Sequence, residues 1–281
     1  MPMPVTVESE PIMARAATEN FPVASRLLPA RLRTHLLAIY GFARLVDELG
    51  DEVPGDRMAA LDRLSEELDR AFAGTATHPL LRALSPTIAA CELPREPFER
   101  LIEANRVDQR VHSYETWSDL LGYCHLSANP VGELVLNVFG AATPWRIERS
   151  NAVCTALQLT EHWQDIREDL ERARVYVPLE DLARGGCSID DLAATRVSER
   201  LRRVLALEAA RTAVLFREGD ALAASLRGWQ RLAIAGYAGG GRAALEAIAL
   251  AGYEVLALAP RPTRRRTIGA IVRVLVRAAG G

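Results

Sequence analysis

The chain has 281 residues, 49% of them hydrophobic and 25% charged, a balance that suits a folded globular protein and excludes an intrinsically disordered one. A net charge of −2 gives no general attraction to nucleic acid, and no nucleic-acid partner is expected. All 34 basic residues are arginine. Without lysine, a P-loop GK[ST], a Schiff-base lysine and a lysine general base are excluded, so any bound anion must be held by arginine, backbone N–H, hydroxyl, histidine or metal.

Apolar residues recur at three- and four-residue spacing almost throughout, and sustained alternation is absent, which predicts at least eight helices and almost no strand. Residues 1–17, with Pro2, Pro4 and Pro11, are expected to form a loose leader, and 18–281 a single all-α domain without linker or internal repeat. Helix breaks are predicted at Val53-Pro54-Gly55, Gly74 to Pro79, Leu93-Pro94, Gly140 to Pro144, Arg184-Gly185-Gly186, Gly239 to Gly241 and Pro260 to Pro262. Ser188-Ile189-Asp190-Asp191 reads as a capping box just after the double glycine. Cys91, Cys124, Cys154 and Cys187 are scattered without a CxxC, as expected of reduced thiols in a cytoplasmic protein. No secretory signal and no long apolar span is visible.

The segment Leu36 to Glu52 carries the first chemical signal. On a helix, Tyr40, Arg44, Asp47 and Asp51 fall on one stripe among Leu, Ile, Val and Phe, flanked by Glu48 and Glu52. Two carboxylates beside apolar residues are costly unless cations neutralise them; Arg44 can neutralise one and a metal the rest. A second stripe lies in Leu157 to Pro178, where Gln158, Glu161, Asp165 and Asp169 share a helix face with Arg172 nearby. Two DxxxD pairs on apolar helices suit a diphosphate substrate. Facing helices of this kind can hold Mg²⁺, which takes one or two carboxylates per ion plus waters and phosphate oxygens. Metal would neutralise the departing diphosphate and leave a carbocation in an apolar cavity. The alternative is two solvated faces of i,i+4 charge pairs.

Between the stripes, the run from Tyr123 to Gly132 (YCHLSANPVG) places small residues and Pro130 in a helical pattern, predicting a kink that makes room for a ligand or serves packing alone. At the end of the chain, Arg261, Arg264, Arg265, Arg266, Arg273 and Arg277 follow Glu254 with no acidic residue, and Ile268 to Val276 is strongly apolar. This tail reads either as a basic amphipathic helix lying on an anionic membrane or as a terminal helix packed on the body with its arginines in water.

Taken together these segments resemble the squalene/phytoene synthase family of head-to-head prenyl synthases. The resemblance spans about Thr18 to Arg277 and rests on Asn20-Phe21-Pro22 through Leu28-Pro29, the Tyr40–Asp51 stripe, YCHLSANPVG, LQLT at 157–160, Asp165/Asp169 and RVYVP at 174–178. It implies an all-α isoprenoid-synthase fold with a central cavity and Mg²⁺-dependent ionisation of a prenyl diphosphate. The wording ENFPVASRLLP, YGFARLVDELGDE, Trp163-Gln164-Asp165 and Gly252-Tyr253-Glu254-Val255 is similar to the bacterial hydroxysqualene synthase branch.

That branch implies presqualene diphosphate as substrate, capture of the rearranged cation by water, and a partner flavoprotein that reduces the alcohol to squalene for hopanoid synthesis. The presqualene diphosphate would come from its own synthase. Alternatives within the family are a presqualene diphosphate or phytoene synthase joining two prenyl diphosphates such as farnesyl diphosphate. Outside catalysis, a silent member acting as a binding or assembly protein is the alternative. Gly239-Gly240-Gly241 follows no strand and no GxGxxG opens a βαβ unit, so no nicotinamide (NADPH) site is evident.

By resemblance, Asp47, Asp51, Asp165 and Asp169 would be Mg²⁺ ligands, and Arg44 and Arg174 would bind diphosphate oxygens with Tyr176 close by. Tyr40 and Tyr123 would line the reactive end, Gln158 would stand in the same wall, and Ser127, Ala128 and Val131 would shape the prenyl channel. The chain departs from the family pattern at Glu161, where Asn is usual and where the carboxylate can join the metal ligands. It departs again at His162, read as wall rather than ligand, and at Gln164, where many members carry arginine. The expected location is the cytoplasm, with contact at the inner face of the plasma membrane if the tail binds lipid.

Overall fold

The structure is a computed structural model that describes residues 28–280; the expected leader at 1–17 and the Asn20-Phe21-Pro22 motif lie outside the described residues. Among the described residues there are thirteen helices and a single isolated parallel bridge, Ser113 with Val175. The helices are α1 (Ala30–Asp51), α2 (Arg57–Phe72), α3 (Pro79–Cys91), α4 (Glu96–Asp108), α5 (Trp117–Ser127), α6 (Asn129–Val138) and α7 (Pro144–Gln164). They continue with α8 (Ile166–Glu171), α9 (Leu179–Arg184), α10 (Ile189–Leu192), α11 (Glu199–Ala224), α12 (Gly228–Leu250) and α13 (Arg264–Ala279). The described residues form two compact units: one takes 28–110 with 130–147, the other 111–129 with 148–280.

In the first unit, α1 buries Leu32, Leu36, Ile39, Phe42, Leu45, Val46 and Leu49, a three- and four-residue spacing that turns one face to α2, α3 and α4. Phe42 meets Phe98 of α4 edge-on with centroids 5.0 Å apart, and Phe72 of α2 meets the same ring at 6.0 Å. Arg100 ties α4 to α6 through Glu133 and pairs with Glu96 at 2.6 Å. The chain breaks supply the caps: the Asp56 side chain accepts from the Ala59 N–H, and Pro79 opens α3 after His78.

In the second unit, Trp163 of α7 is buried and donates its indole N–H to Thr212 of α11 at 2.9 Å. Arg211 of α11 donates to Asp181 of α9 at 2.6 Å and lies over the Trp117 ring of α5 at 5.1 Å. Beside it, burial and the charge of Asp181 push Glu208 up to about 8, so this fully buried carboxyl keeps its proton at neutral pH. Ser188 N–H donates to Asp191 at 2.9 Å, so the expected capping box forms, on a helix of only one turn.

Two expectations are corrected. The Gly239–Gly241 run does not break a helix; α12 passes straight through it. A Cβ at Gly239 would stand 2.7 Å from the Ile271 backbone of α13, and one at Gly241 2.5 Å from the Phe216 ring of α11 and from Leu157 of α7. The glycines are there for close helix approach, not for a turn. The second carboxylate helix is also shorter than expected. It is interrupted at Asp165, and α8 ends at Glu171, after which Ala173 takes a left-handed conformation (φ 58) and 174–178 is not helical.

The packing at Gly241 sets a contrast. Gly241→Ala should lose about 1–3 kcal/mol by overpacking and lower the melting temperature. Gly236→Ala, on the same helix with nothing within 4 Å of its Cβ, should gain about 0.5–1 kcal/mol from helix propensity. Thermal denaturation of the two variants checks the pair.

Candidate active site

The first carboxylate stripe forms as the periodicity dictates. Tyr40 is buried on α1, Arg44 Nη1 donates to Asp47 Oδ2 at 3.3 Å, and Asp51 closes the helix one turn further on. Gly50, whose Cβ would overlap Asn105, lets that side chain of α4 come close enough to hydrogen-bond Asp47. Gln109 then donates to the Gly50 carbonyl at 2.9 Å and to the Asn105 carbonyl at 3.1 Å, fixing the end of α1 against α4. Asp47 keeps 48% of its side-chain surface open to water, yet the surrounding protein has replaced much of its hydration. That burial raises its pKa to about 6, with Asp51 adding repulsion; the Arg44 charge and the hydrogen bonds from Asn105 and Arg44 only partly offset it.

The second stripe survives the break in its helix. Asp165 N–H donates to the Glu161 carbonyl at 2.9 Å and Asp169 N–H to the Asp165 carbonyl at 2.8 Å, so Glu161, Asp165 and Asp169 stay one helical turn apart. Asp165 is likewise pushed up to about 6, by burial first and then by Asp169 and Glu168, against Arg261 and Arg172. The exposed Arg172 pairs with Glu168 at 3.0 Å. Arg174 N–H donates to the Asp169 carbonyl at 2.8 Å, and Val175 N–H to the His112 carbonyl at 2.8 Å. The non-helical 174–178 segment is thereby strung between α8 and the 111–116 loop.

This places four rings together. Tyr176 stacks on His162 with centroids 3.6 Å apart and 16° between planes, and on Tyr114 at 5.9 Å; Tyr123 lies 5.4–5.6 Å from Tyr114 and Tyr176. His162 joins this wall to the carboxylates: its Nε2 is 3.1 Å from Gln158 Nε2 and its Nδ1 3.7 Å from Asp169 Oδ2. Its burial lowers its pKa despite Asp169, so it is neutral at pH 7. In the expected kink, α5 ends at Ser127 and α6 begins at Asn129, with buried Ala128 between; among the described residues the Ser127 Oγ is buried without a hydrogen-bond partner. Val131 is half-buried on α6. Beside Asp165 a cleft of about 460 Å³ is lined by Gln164, Glu168, Arg172 and the 255–259 segment.

The donor set suits Mg²⁺. Among the described residues no three acidic, histidine or cysteine side chains converge on one point, which leaves the carboxylates as pairs. One or two carboxylates, with waters and phosphate oxygens for the rest, is the coordination Mg²⁺ prefers, and a cation would relieve Asp47 and Asp165, each raised by burial and a neighbouring aspartate.

The family model for squalene/phytoene synthase matches residues 14–268. The chain belongs to the squalene/phytoene synthase family. It is an enzyme of that prenyl-transferring type, with the helical fold of the family. A hydroxysqualene synthase of Rhodopseudomonas palustris is 35% identical over 217 residues, covering 75% of this chain and 73% of that protein. The crystal structure of squalene synthase HpnC from Alicyclobacillus acidocaldarius is 49% identical, with a TM-score of 0.81 over 89% of this chain and 93% of that one. A dehydrosqualene synthase at 23% identity and a TM-score of 0.84, covering 96% of each chain, shares the fold.

Sequence reasoning missed Tyr114, Asn105 and Gln109. Tyr114 enters the wall through the pairing of Ser113 with Val175, a contact across sixty residues that no local pattern announces. Gly50 is the one legible signal for Asn105, as a small residue on an otherwise bulky helix face. Gln164, where many relatives hold arginine, donates to the Pro260 carbonyl and ties the segment after α12 to α7.

Both raised aspartates are charged above pH 6 in the folded chain, whereas in the unfolded chain they ionise near 3.8. The native state therefore binds more protons between those values, and these groups cost stability progressively as pH rises through 6. In metal-free buffer, Asp47→Asn and Asp165→Asn should each raise the melting temperature relative to wild type at pH 8, and the gain should vanish by pH 4. Melting curves across that range check it.

Proposed function

We propose that the chain converts presqualene diphosphate and water to hydroxysqualene and diphosphate. The observation that carries this reading is the direct join, through His162, between the aspartate pair of α7–α8 and a wall of three tyrosines. Carboxylates suited to a cation–diphosphate complex thus adjoin π faces suited to a carbocation. The choice of product rests on the likeness to the hydroxysqualene synthase of R. palustris.

Asp47 and Asp51, and Asp165 and Asp169 with Glu161, are the residues that would hold Mg²⁺, which supplies charge neutralisation for a leaving diphosphate. Arg44 and Arg174 offer fixed guanidinium charge to its oxygens. Tyr40 would contribute its ring beside the Asp47/Asp51 pair, and Tyr123, Tyr176 and Tyr114 theirs beside the Asp165/Asp169 pair. Neutral His162 and Gln158 supply hydrogen-bonding atoms that orient a water for capture of the cation. Ser127 Oγ offers one more polar contact, and Ala128 and Val131 supply apolar surface for the prenyl chain. The alcohol would pass to a separate reductase that makes squalene for hopanoids, all on the cytoplasmic side.

Incubating the chain with Mg²⁺ and presqualene diphosphate, without reductant, should yield hydroxysqualene by mass spectrometry. Condensation of two farnesyl diphosphates as the main activity would reassign the product, and release of no diphosphate from either substrate would favour the silent-member reading. Asp47→Ala and Asp165→Ala should fold normally by circular dichroism and lose about a hundredfold or more in turnover; near-wild-type rates would refute the metal assignment. Glu161→Asn should retain or raise activity in the same assay.

A further inference from the structure

The C-terminal helix has two apolar faces where packing uses one. Ala270, Val274 and Ala278 are its buried stripe. On that side Gly239 of α12 admits Ile271 at close range, Arg273 pairs with Glu246 of α12 at 2.8 Å, and Arg277 pairs with Asp220 of α11 at 3.3 Å. Two residues before each buried position, and so about 200° away, stand Ile268, Val272 and Val276. They form an outer stripe that is 61%, 49% and 65% exposed. A helix that only covers a protein core carries polar residues there.

Charge says what the outer stripe meets. Arg264, Arg265 and Arg266 make up the first turn, which holds no acidic residue, and among the described residues no carboxylate pairs with their side chains. Arg264 and Arg265 continue the outer stripe by one turn on either side. Three cations at a helix N-terminus oppose the macrodipole and weaken the helix, so they are not there to stabilise it. Seven residues before Ile268, Arg261 still faces the acidic cluster at Asp165, and from Arg264 onward no acidic residue follows in the chain. An apolar stripe flanked by unpaired arginines is complementary to a surface that is apolar below and anionic above. No described helix is long and apolar enough to cross a membrane, so α13 would lie on the surface rather than span it.

We propose that the outer face of α13 docks the enzyme on an anionic lipid bilayer, with Ile268, Val272 and Val276 in the acyl boundary and Arg264–Arg266 among the headgroup phosphates. This surface is independent of which prenyl diphosphate the enzyme uses.

The test is co-sedimentation of the full chain with phosphatidylcholine vesicles, pure or about one-third phosphatidylglycerol. Wild type should pellet with the anionic vesicles only and be released by high salt. The variants R264E/R265E/R266E and I268S/V272S/V276S should each bind at least tenfold more weakly. The first puts acidic residues where the helix dipole favours them, so its helix content should hold by circular dichroism. Both should keep their turnover of detergent-dispersed substrate. Equal binding to both vesicle types, no binding, or variants that bind like wild type would overturn the proposal. So would a wild-type dimer in vesicle-free solution that I268S/V272S/V276S dissolves, since the face would then belong to a second copy of the chain.

Discussion

Carboxylates placed one helical turn apart and stripped of much of their water are costly, and each unit carries one such stripe. At Asp47 and Asp165 burial is the largest contribution and the neighbouring aspartate adds to it, so both sit near 6. Nearby arginines are present yet do not cancel the effect. A protein selected only for stability would pair these charges fully or replace them. Incomplete neutralisation leaves at neutral pH a local demand for positive charge that a divalent cation with a diphosphate can meet, and a strained charge arrangement of this kind is a familiar signature of function.

The rest of the second unit's geometry follows from keeping those carboxylates in register while bringing aromatics alongside. A single long helix would carry Arg174 and Tyr176 onward and away. Instead the chain relaxes at Asp165, retains the i to i−4 hydrogen bonds across the break, then reverses at Ala173. The cost of a left-handed alanine is about 1–3 kcal/mol, and it is offset locally by the bond from Arg174 N–H to the Asp169 carbonyl and by the pairing of 175 with the 112–113 backbone. His162 is the hinge of the result. Its ring plane is set by Tyr176 and its two nitrogens by Gln158 and Asp169, so it ties the carboxylate to the aromatic wall.

Those features divide cleanly by whether local or distant contacts create them. The stripes of Tyr40, Arg44, Asp47 and Asp51, and of Glu161, Asp165 and Asp169, were legible because helix periodicity is a local property that 100° per residue captures. The interruption between Ser127 and Asn129 was legible from another local signal, Pro130 and small residues inside a helical pattern. Gly239–Gly241 misled because glycine has two uses: it frees the backbone for a turn, and it removes a Cβ where another helix must approach. Only the position of Ile271, Phe216 and Leu157 tells which applies. Tyr114 and Asn105 were invisible because their roles are defined by elements far off in the chain.

The absence of lysine takes on a mechanical meaning in this setting. Guanidinium groups act here as planar clamps that an ammonium could not imitate: Arg231 bridges the carbonyls of Ala223, Ala224 and Leu226, Arg242 spans Asp220 and the Phe216 carbonyl, and Arg167 reaches the Leu256 and Ala194 carbonyls. There is an electrostatic consequence as well. Arginine does not titrate in the accessible range, so apart from the histidines and the terminal amine every cation of the chain is fixed. The field that Arg44 exerts on Asp47, and Arg261 and Arg172 on Asp165, is therefore constant across working pH. Any response of the site to acid then belongs to its carboxylates, with Asp47 and Asp165 raised to about 6, and to His162, whose pKa burial lowers.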